Sequence, residues 1–492
     1  MKHLTRTFLS VLSLLAVFSA AACGSETSEA PADTVPYAPV SEETASADAL
    51  SFPDTIPADA FYNGADFRIA YSNAWEMNEC VYTLDDAAGD LVNEAVYQRN
   101  LKTEEKLGVR ISGDWLCKWD EIAVNLQKMV QAGDCPYDII MASEVQLFRA
   151  SLNDLLLDMD GIDTLDLTHS WWDTEALDMY SLGTKNRFLI SGTVNYLDDY
   201  SQNCLLFNKK LCAQYDLEEP YALVREGRWT FDKFMEYVMK FGVDLDGDGR
   251  MNENDLYGYL GNVGAINNFL YGAGEGIITF DAEGNAGLNT SDRMQTVIAA
   301  CIDRLLDKNN NAVCIIERKI GYDRAGSIFP NGFSLFLGNT FVGEVADMRL
   351  AMEDDFGIIP YPKFDEAQEN YYSSLDIVYG TVVSVPAANA DPARTGWVLD
   401  LMGYYSEEDL LPTVIEKHIK TKSMRDEDSV EMLNLIIGAK SFNLGGWGSS
   451  IYTQMMNMCQ NGKNNYASLA EKYRSITKEE FSAVAEVYDF GK

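Results

Sequence analysis

Short apolar runs alternate with helical patterns along the chain from residue 61 onward. The runs have the length and composition of buried strands and lie at 67–71 (FRIAY), 109–111, 137–142 (YDIIMA) and 188–190. Between the second and third run, apolar residues recur on one helical face at Ile122, Leu126, Met129 and Val130, and this pattern ends at Gly133. The alternation predicts βαβ units and a mostly parallel sheet.

A further helix is predicted ahead of an acidic loop. Thr230 can cap a helix that extends to Lys240, because an apolar stripe follows it at Phe231, Phe234, Met235 and Val238. Residues 256–259 then form a strand on the far side of the loop. The adjacent pair Trp171 and Trp172 is assigned to the core.

The loop itself, 243–259 (VDLDGDGRMNENDLYGY), has the carboxylate spacing of a calcium site. The acidic positions 1, 3, 5 and 12 of such a loop are filled by Asp244, Asp246, Asp248 and Asp255. Gly249 stands at the sharp turn, Arg250 offers its backbone carbonyl, and Asn252 can act through a water. The twelfth position is Asp where Glu is usual, which weakens the expected site. A solvated acidic turn is the alternative, and structural Ca²⁺ is the prediction.

The N-terminus predicts export. Residues 1–22 have a basic start, an apolar run and small residues before Cys23, as in a secretory signal. The tetrapeptide AAAC resembles a bacterial lipobox, although Leu usually stands three residues before the Cys, so Cys23 is the predicted lipidation site and plain signal cleavage the alternative. Residues 24–60 contain no Lys or Arg, so 23–60 is predicted to be an acidic, disordered tether on a lipid anchor.

Composition limits the partners. The 492 residues carry a formal net charge of −38, which argues against nucleic acid or an anionic membrane surface, since both need clustered Lys and Arg. The remaining eight cysteines show no CxxC spacing, and no disulfide is assigned.

Catalytic motifs are scarce. Apart from the signal segment the chain has only His169 and His418, which removes multi-His zinc sites and most Ser-His-Asp arrangements. The glycines of GAGEG, 272–276, do not follow a strand-to-helix pattern and indicate a flexible turn. Asp198 and Asp199 are adjacent, and on a strand they would face opposite ways. Binding is therefore favoured over catalysis, and no catalytic residue is assigned.

Several segments together resemble a known family. They are PYDIIMASE, NRFLISGTVNYLDDYSQNCLLFNKKLC, GRWTFDKFMEYV, the DLDGDG loop ending in DLYGY, and DFGIIPYPK. This series resembles the extracellular solute-binding proteins of carbohydrate ABC importers, the maltose-binding-protein-like family. The resemblance implies an α/β fold of two lobes joined by a hinge, with 61–203 and 363–415 in lobe 1 and 204–362 and 416–492 in lobe 2.

Sugar binding needs flat apolar faces and planar polar groups, and ligands of open α/β sheets lie beyond the carboxyl ends of strands. Some candidates follow predicted strands and others match the cleft walls of the family. They are Trp75, Glu144, Tyr196, Asp198, Tyr200, Asn267, Tyr271 and Trp447. Packing of an aromatic ring under a loop is the alternative for each.

By resemblance, the protein captures an oligosaccharide outside the cytoplasm and passes it to the permease subunits of an ABC transporter. We expect a monomer held at the membrane only by its lipid. The alternatives are a surface-anchored, glycan-active enzyme and a peptide-binding lipoprotein, which would need charged partners for peptide termini.

Overall fold

The computed structural model describes residues 52–53, 56–73, 78–376, 379–415, 424–441, 446 and 449–490, all within the unit Leu50–Lys492. The predicted signal segment, Cys23, Trp75 and Trp447 lie outside the described residues. In the described part of the chain, no helix has the length and apolar character needed to cross a membrane.

The strands form two larger sheets and two small pairs. In chain order they are β1 Ala65–Ser72, β2 Val109–Trp115, β3 Ile139–Ala142, β4 Asn203–Asn208, β5 Tyr257–Gly261, β6 Ile278–Phe280, β7 Ala286–Leu288, β8 Val313–Ile315, β9 Ser334–Phe341, β10 Phe356–Ile359, β11 Ser373–Ser374, β12 Val382–Ser384 and β13 Lys440–Ser441.

Helices separate most of the strands. The α-helices are α1 Leu84–Ala87, α2 Leu91–Leu107, α3 Ile122–Ala132, α4 Glu144–Ser151, α5 Thr174–Tyr180, α6 Leu197–Tyr200, α7 Lys209–Gln214, α8 Pro220–Arg225, α9 Phe231–Val238, α10 Ala265–Gly272, α11 Asp292–Ala300, α12 Ile316–Lys319, α13 Tyr322–Ala325, α14 Val345–Ala351, α15 Pro392–Tyr405, α16 Glu427–Gly438, α17 Ser450–Asn461, α18 Tyr466–Glu480 and α19 Val484–Val487. Short 3₁₀ turns lie at Met159–Gly161 and Val342–Glu344, and wider π turns extend α11 and α15 at Cys301–Leu305 and Ser406–Leu410.

The first sheet has the order β12-β3-β1-β2, with β1 parallel to both β2 and β3 and with β12 antiparallel. The predicted parallel βαβ arrangement is confirmed. The connecting helix α3 ends at Gly133, whose left-handed φ of 63° closes the last turn as the sequence predicted. Trp171 and Trp172 are each 2% exposed and belong to the core beside this sheet.

The predicted strand at 188–190 is wrong. Ile190 forms a single antiparallel bridge with Val383 of β12, and no strand develops around it. The chain turns away at Gly192, where an added Cβ would lie 2.2 Å from the backbone oxygen of Trp171. Gly192 forms an isolated antiparallel bridge with Trp172, so the segment changes its pairing partner within two residues.

The second sheet has the order β10-β4-β9-β5-β8. Its strand β5 is parallel to β9 and β8, whereas β4 is antiparallel to β9 and β10. The carboxyl ends of β5, β8 and β9 and the amino end of β4 therefore share one edge. Helix α9 packs against this sheet through Phe234, and Thr230 caps it by accepting a hydrogen bond from the Lys233 backbone N–H at 3.3 Å. The helix ends at Val238, two residues before the predicted end.

The chain passes between the two sheets at residues 197–203 and again at 373–382. These passages are hydrogen-bonded to each other, since the Asp376 backbone N–H donates to the Ser201 carbonyl at 2.7 Å and Gln202 bridges Leu375. The second passage also pairs in parallel with β13, with Ser373 opposite Lys440. The lobe boundaries expected from the resemblance stay a prediction.

A buried ion cluster, which we call the Lys440 cluster, holds the first passage against β13. The Lys440 Nζ lies 2.6 Å from Asp199 Oδ1, 2.9 Å from Asp198 Oδ2 and 3.6 Å from Asp173 Oδ2. Burial alone would lower the pKa of Lys440, but the surrounding carboxylates raise it. Asp198 and Asp199 lie on the single turn of α6 and share one ammonium, so the expectation that they face opposite ways on a strand is wrong.

Glu79 secures the start of α6 from the other side. Its carboxylate accepts hydrogen bonds from the Leu197 backbone N–H at 3.1 Å and from the Thr381 hydroxyl. The side chain is fully buried, and burial raises its pKa from 4.5 to about 7. Arg99 lies close by, buried as well, and donates to the carbonyls of Cys80 and Val194.

This buried carboxyl makes stability depend on pH. Because the folded state holds a proton on Glu79 at pH values where the unfolded chain has lost it, the stability from this proton is present at low pH and is lost as pH rises through about 7. We expect Glu79→Gln to remove about 1 kcal/mol of the difference in unfolding free energy between pH 6 and pH 8, measured by urea denaturation.

The exposed Glu353 provides a matched control. Glu353→Gln should leave the pH dependence of the unfolding free energy unchanged. If Glu79→Gln and the wild type show equal slopes between pH 6 and pH 8, the account of this buried carboxyl is wrong.

Candidate functional site

An asparagine-rich cavity of about 390 Å³ lies at the edge of the second sheet where β5, β8 and β9 end and β4 begins. Its asparagines come from four parts of the chain: Asn203, Asn262, Asn267, Asn268 and Asn339. Ser374, Asp376, Tyr271, Glu317 and Tyr452 complete its polar lining. Ligands of open α/β sheets bind beyond the carboxyl ends of the strands, so the position fits a binding site.

Local hydrogen bonds shape the wall that follows β5. Asn262 accepts from the Ala265 backbone N–H at 3.0 Å, and the Glu317 carboxylate accepts from the Val263 N–H at 3.2 Å. These bonds start helix α10 directly after the strand and place Asn267 and Asn268 one turn later. The opposite wall contains Asn339, whose φ of 57° is left-handed, a conformation that asparagine tolerates better than most residues.

Asn268 is the centre of a buried amide network. Its Nδ2 donates to Asn203 Oδ1 at 3.1 Å, and its Oδ1 accepts from the Ser374 hydroxyl at 3.2 Å. Asn203 in turn donates to the Ser374 carbonyl at 3.0 Å. Since Asn203 belongs to the first passage and Ser374 to the second, this network fixes the cavity wall to both.

The side-chain oxygen of Asn267 is an unused hydrogen-bond acceptor among the described residues. Its Nδ2 donates to the Tyr452 hydroxyl at 2.9 Å, but its buried Oδ1 has no hydrogen-bond partner among the described residues. A buried carbonyl oxygen without a partner is costly, and a donor from a bound ligand would satisfy it. The amide is therefore positioned to accept a hydrogen bond from a hydroxyl group.

The charged residues in the described lining of the cavity are both acidic. Glu317 and Asp376 line it, and among the residues that the structure describes no lysine, arginine or histidine does. An anionic ligand would lose its hydration without gaining a cation in return, so the lining disfavours phosphates and carboxylates.

Two of the predicted binding residues line this cavity, and a third lies near one of them. Asn267 and Tyr271 line the cavity, and Glu144 lies close enough to Tyr271 to influence it. Burial raises the pKa of Tyr271, and Tyr452 and Glu144 raise it further. Glu144 is 4% exposed and accepts a hydrogen bond from the Tyr180 hydroxyl at 3.1 Å.

Three other candidates lie away from the cavity. Asp198 is held in the Lys440 cluster and also accepts from the Ser191 hydroxyl at 2.8 Å. Tyr196 is 5% exposed, with its ring edge-on to that of Tyr200 at 5.5 Å. The structure thus gives these three side chains packing and ion-pair contacts next to the first passage. Trp75 and Trp447 stay predictions.

Among the lining residues that the sequence patterns did not indicate are Asn203, Asn268, Asn339, Ser374 and Tyr452. One signal was available, because Asn268 directly follows the predicted Asn267. The others are separated by tens to hundreds of residues, and nothing in their local patterns marks them.

The predicted calcium loop gathers three of its four carboxylates. Oxygens of Asp244, Asp246 and Asp255 lie within 4.8 Å of one another, whereas Asp248 is outside this group and accepts from the Arg250 backbone N–H at 2.7 Å. Backbone amides organise the loop, since Asp244 accepts from Gly247 and Gly249, both at 2.7 Å. The Gly249 N–H, followed by that of Gly247, lowers the pKa of Asp244.

Asp255 anchors the other end of this loop. It is fully buried, and its two oxygens accept from the backbone N–H groups of Leu245 at 2.8 Å and Asn252 at 2.7 Å. Asn252 Nδ2 also approaches the Arg250 carbonyl at 3.5 Å. The three grouped carboxylates form a hard oxygen set of the kind that suits Ca²⁺.

Comparison with known proteins gives a clear likeness in fold alone. No family model matches the chain, and no curated protein sequence matches it. Among solved structures, the galacto-N-biose/lacto-N-biose I-binding protein of a Bifidobacterium longum ABC transporter, in complex with lacto-N-biose, aligns with a TM-score of 0.57 at 11% identity, covering 87% of this chain and 99% of that chain.

Two further structures align over similar lengths. The ABC substrate-binding protein Lmo0181 from Listeria monocytogenes, in complex with cycloalternan, has a TM-score of 0.54 at 11% identity and covers 87% of this chain and 100% of that chain. UgpB from Mycobacterium tuberculosis, in complex with glycerophosphocholine, has a TM-score of 0.53 at 12% identity and covers 86% and 99%. The chain therefore has the two-lobed α/β fold of ABC-transporter substrate-binding proteins.

Proposed function

We propose that the protein binds a neutral oligosaccharide in the asparagine-rich cavity and delivers it to an ABC permease. The observation that carries this proposal is the cavity lining, in which planar amides and aromatic hydroxyls accompany an unsatisfied acceptor on Asn267 and no described lining residue is a cation. Sugars carry hydroxyl groups that donate and accept, which such a lining can match.

The fold supports the proposal without determining the ligand. Proteins of this fold are found with lacto-N-biose and cycloalternan, but another is found with glycerophosphocholine. The choice among ligand classes therefore rests on the cavity of this chain. Its carboxylates oppose a phosphate ester, and the absence of a cation from the described part of its lining weighs against a peptide carboxyl terminus.

The place of action is part of the same proposal. The signal-like segment 1–22 would export the chain, and acylation of Cys23 would hold it by its tether at the outer face of the membrane. A monomer tethered in this way can reach a permease in the same membrane. The two-lobed fold would close around the sugar, because contacts made only in the closed form shift the population toward it.

Binding can be tested by calorimetric titration of the purified protein against neutral and acidic glycans. We expect at least one neutral oligosaccharide to bind and no glycan to be cleaved. Asn267→Ala should weaken binding by about 0.5–1.5 kcal/mol, since one hydrogen bond to the sugar is lost.

The exposed Asn153 serves as the matched control, because it lies just past the end of α4 and its side-chain amide donates to the Arg149 carbonyl of that helix. Asn153→Ala should bind as the wild type does. Preferential binding of acidic glycans, or release of reducing ends that a single Asp or Glu substitution abolishes, would contradict the proposal.

A structural calcium ion at the loop of Asp244, Asp246 and Asp255 is the second part of the proposal. Their clustered charges repel one another, and a bound cation would offset this repulsion. The backbone carbonyl of Arg250 would be a further oxygen ligand. The ion would stabilise the connection between α9 and β5, and β5 leads directly into the cavity wall.

We expect the melting temperature to fall on addition of a chelator and to recover with Ca²⁺ but not with equal Mg²⁺. A ligand that binds only the folded state adds about 2.7 kcal/mol at a hundredfold excess over its dissociation constant. Asp246→Ala should abolish this response, and Asp59→Ala, at an exposed aspartate outside the loop, should retain it. A melting curve indifferent to chelation would show that the loop is only an acidic turn.

A further inference from the structure

Two more cavities adjoin the asparagine-rich one, which we call the first chamber. A second chamber of about 350 Å³ shares Tyr271 with it. A third chamber of about 540 Å³ shares Leu182 and Phe280 with the second. The shared residues make each chamber the neighbour of the next, so the second lies between the first and the third.

The second chamber has aromatic and glycine walls. Tyr271, Phe280 and Tyr372 contribute rings, which offer the flat apolar faces that sugar rings stack on. Gly274 and Gly276 belong to the GAGEG turn, which the sequence indicated only as a flexible turn. Gly274 has a φ of 76°, and an added Cβ there would lie 3.3 Å from the Tyr372 ring. Because glycine has no side chain, a ligand in this chamber can approach the backbone closely.

Gly276 gives a way to fill this chamber without disturbing the fold. An added Cβ would meet nothing closer than the Ile278 carbonyl at 3.6 Å, an ordinary contact distance, and the backbone there is not left-handed. A side chain at this position enters space that glycine leaves open to a ligand.

We propose that the ligand is an oligosaccharide longer than a disaccharide, whose chain runs from the first chamber past Tyr271 into the second and ends in the third. This inference rests on the proposed function and adds the length of the sugar. The second chamber is also lined by Met179 and Leu182, which precede the first passage between the sheets along the chain, whereas residues 271–280 follow it. A long glycan thus contacts parts of the chain on both sides of that passage.

The charges agree with a neutral glycan that emerges into solvent. Glu275 is the charged residue in the described lining of the second chamber, and Arg293, outside that lining, lies 3.4 Å from its carboxylate. Lys185, Asp281 and Asp489 line the third, where both signs are present. Stacking and hydrogen bonding in the inner chambers, followed by a mixed polar exit, suit a chain of neutral rings with one free end.

The test is calorimetric titration with one series of linear neutral glycans, from disaccharide to hexasaccharide, against wild type, Gly276→Val and Gly326→Val. Gly326 is exposed and has open space around its Cβ position, so it is the matched control. We expect wild-type affinity to rise about tenfold or more beyond the disaccharide. Gly276→Val should lose this gain and keep the affinity for the disaccharide, and Gly326→Val should behave as wild type.

If Gly276→Val fails to fold, Met179→Arg is the second variant. Met179 is an exposed residue of α5 that also lines the second chamber, so the larger side chain should narrow the same space. Equal wild-type affinity for every length would overturn the inference and leave the proposed function intact. Equal losses at all lengths in the Gly276→Val protein, or no loss at any length, would also overturn it. If no neutral glycan binds the wild type, the proposed function fails and the inference fails with it.

Discussion

The buried ammonium of Lys440 is the contact on which the geometry of the molecule depends. An unpaired charge in the interior is costly, so the carboxylates of Asp173, Asp198 and Asp199 are held around it. Burial raises the pKa of Asp198, and the Lys440 ammonium opposes this shift. Because Lys440 lies on β13 and Asp198 on α6, the cluster ties the first passage between the sheets to the strand that pairs with the second passage.

The shape of the cavity depends on how the Lys440 cluster holds the two passages. Asn203 comes four residues after Asp199 of the Lys440 cluster. Ser374 lies in β11, which pairs with β13, the strand that contains Lys440. The side chains of Asn203 and Ser374 are both hydrogen-bonded to Asn268. The amide network can therefore form only where the two passages are held together. The protein as a whole is strongly acidic, with a net charge of −38. The charged residues in the described lining of the cavity, Glu317 and Asp376, are acidic as well. Affinity must therefore come from hydrogen bonds and ring stacking, which is why we infer a neutral, polyhydroxylated ligand.

Local pattern predicted the first sheet well. Strands β1 to β3, helix α3 and its glycine cap follow from periodicity and capping residues, and α9 follows from Thr230 and its apolar stripe. Asn267 and Tyr271 were identifiable because their segment resembles the second-lobe wall of the family. The rest depends on tertiary structure. The position of β4 between β9 and β10 decides that Asn203 faces the cavity, and no local pattern encodes that order. The same holds for Asp198 and Asp199, whose helical turn exists because Glu79 and Lys440 hold it.

The central claim is that a glycan bridges the two lobes and closes them around the passages. Small-angle X-ray scattering measures this directly, with the protein alone and with a saturating concentration of the tightest-binding neutral glycan. The account predicts a smaller radius of gyration with the glycan present. An unchanged radius at saturation would contradict it.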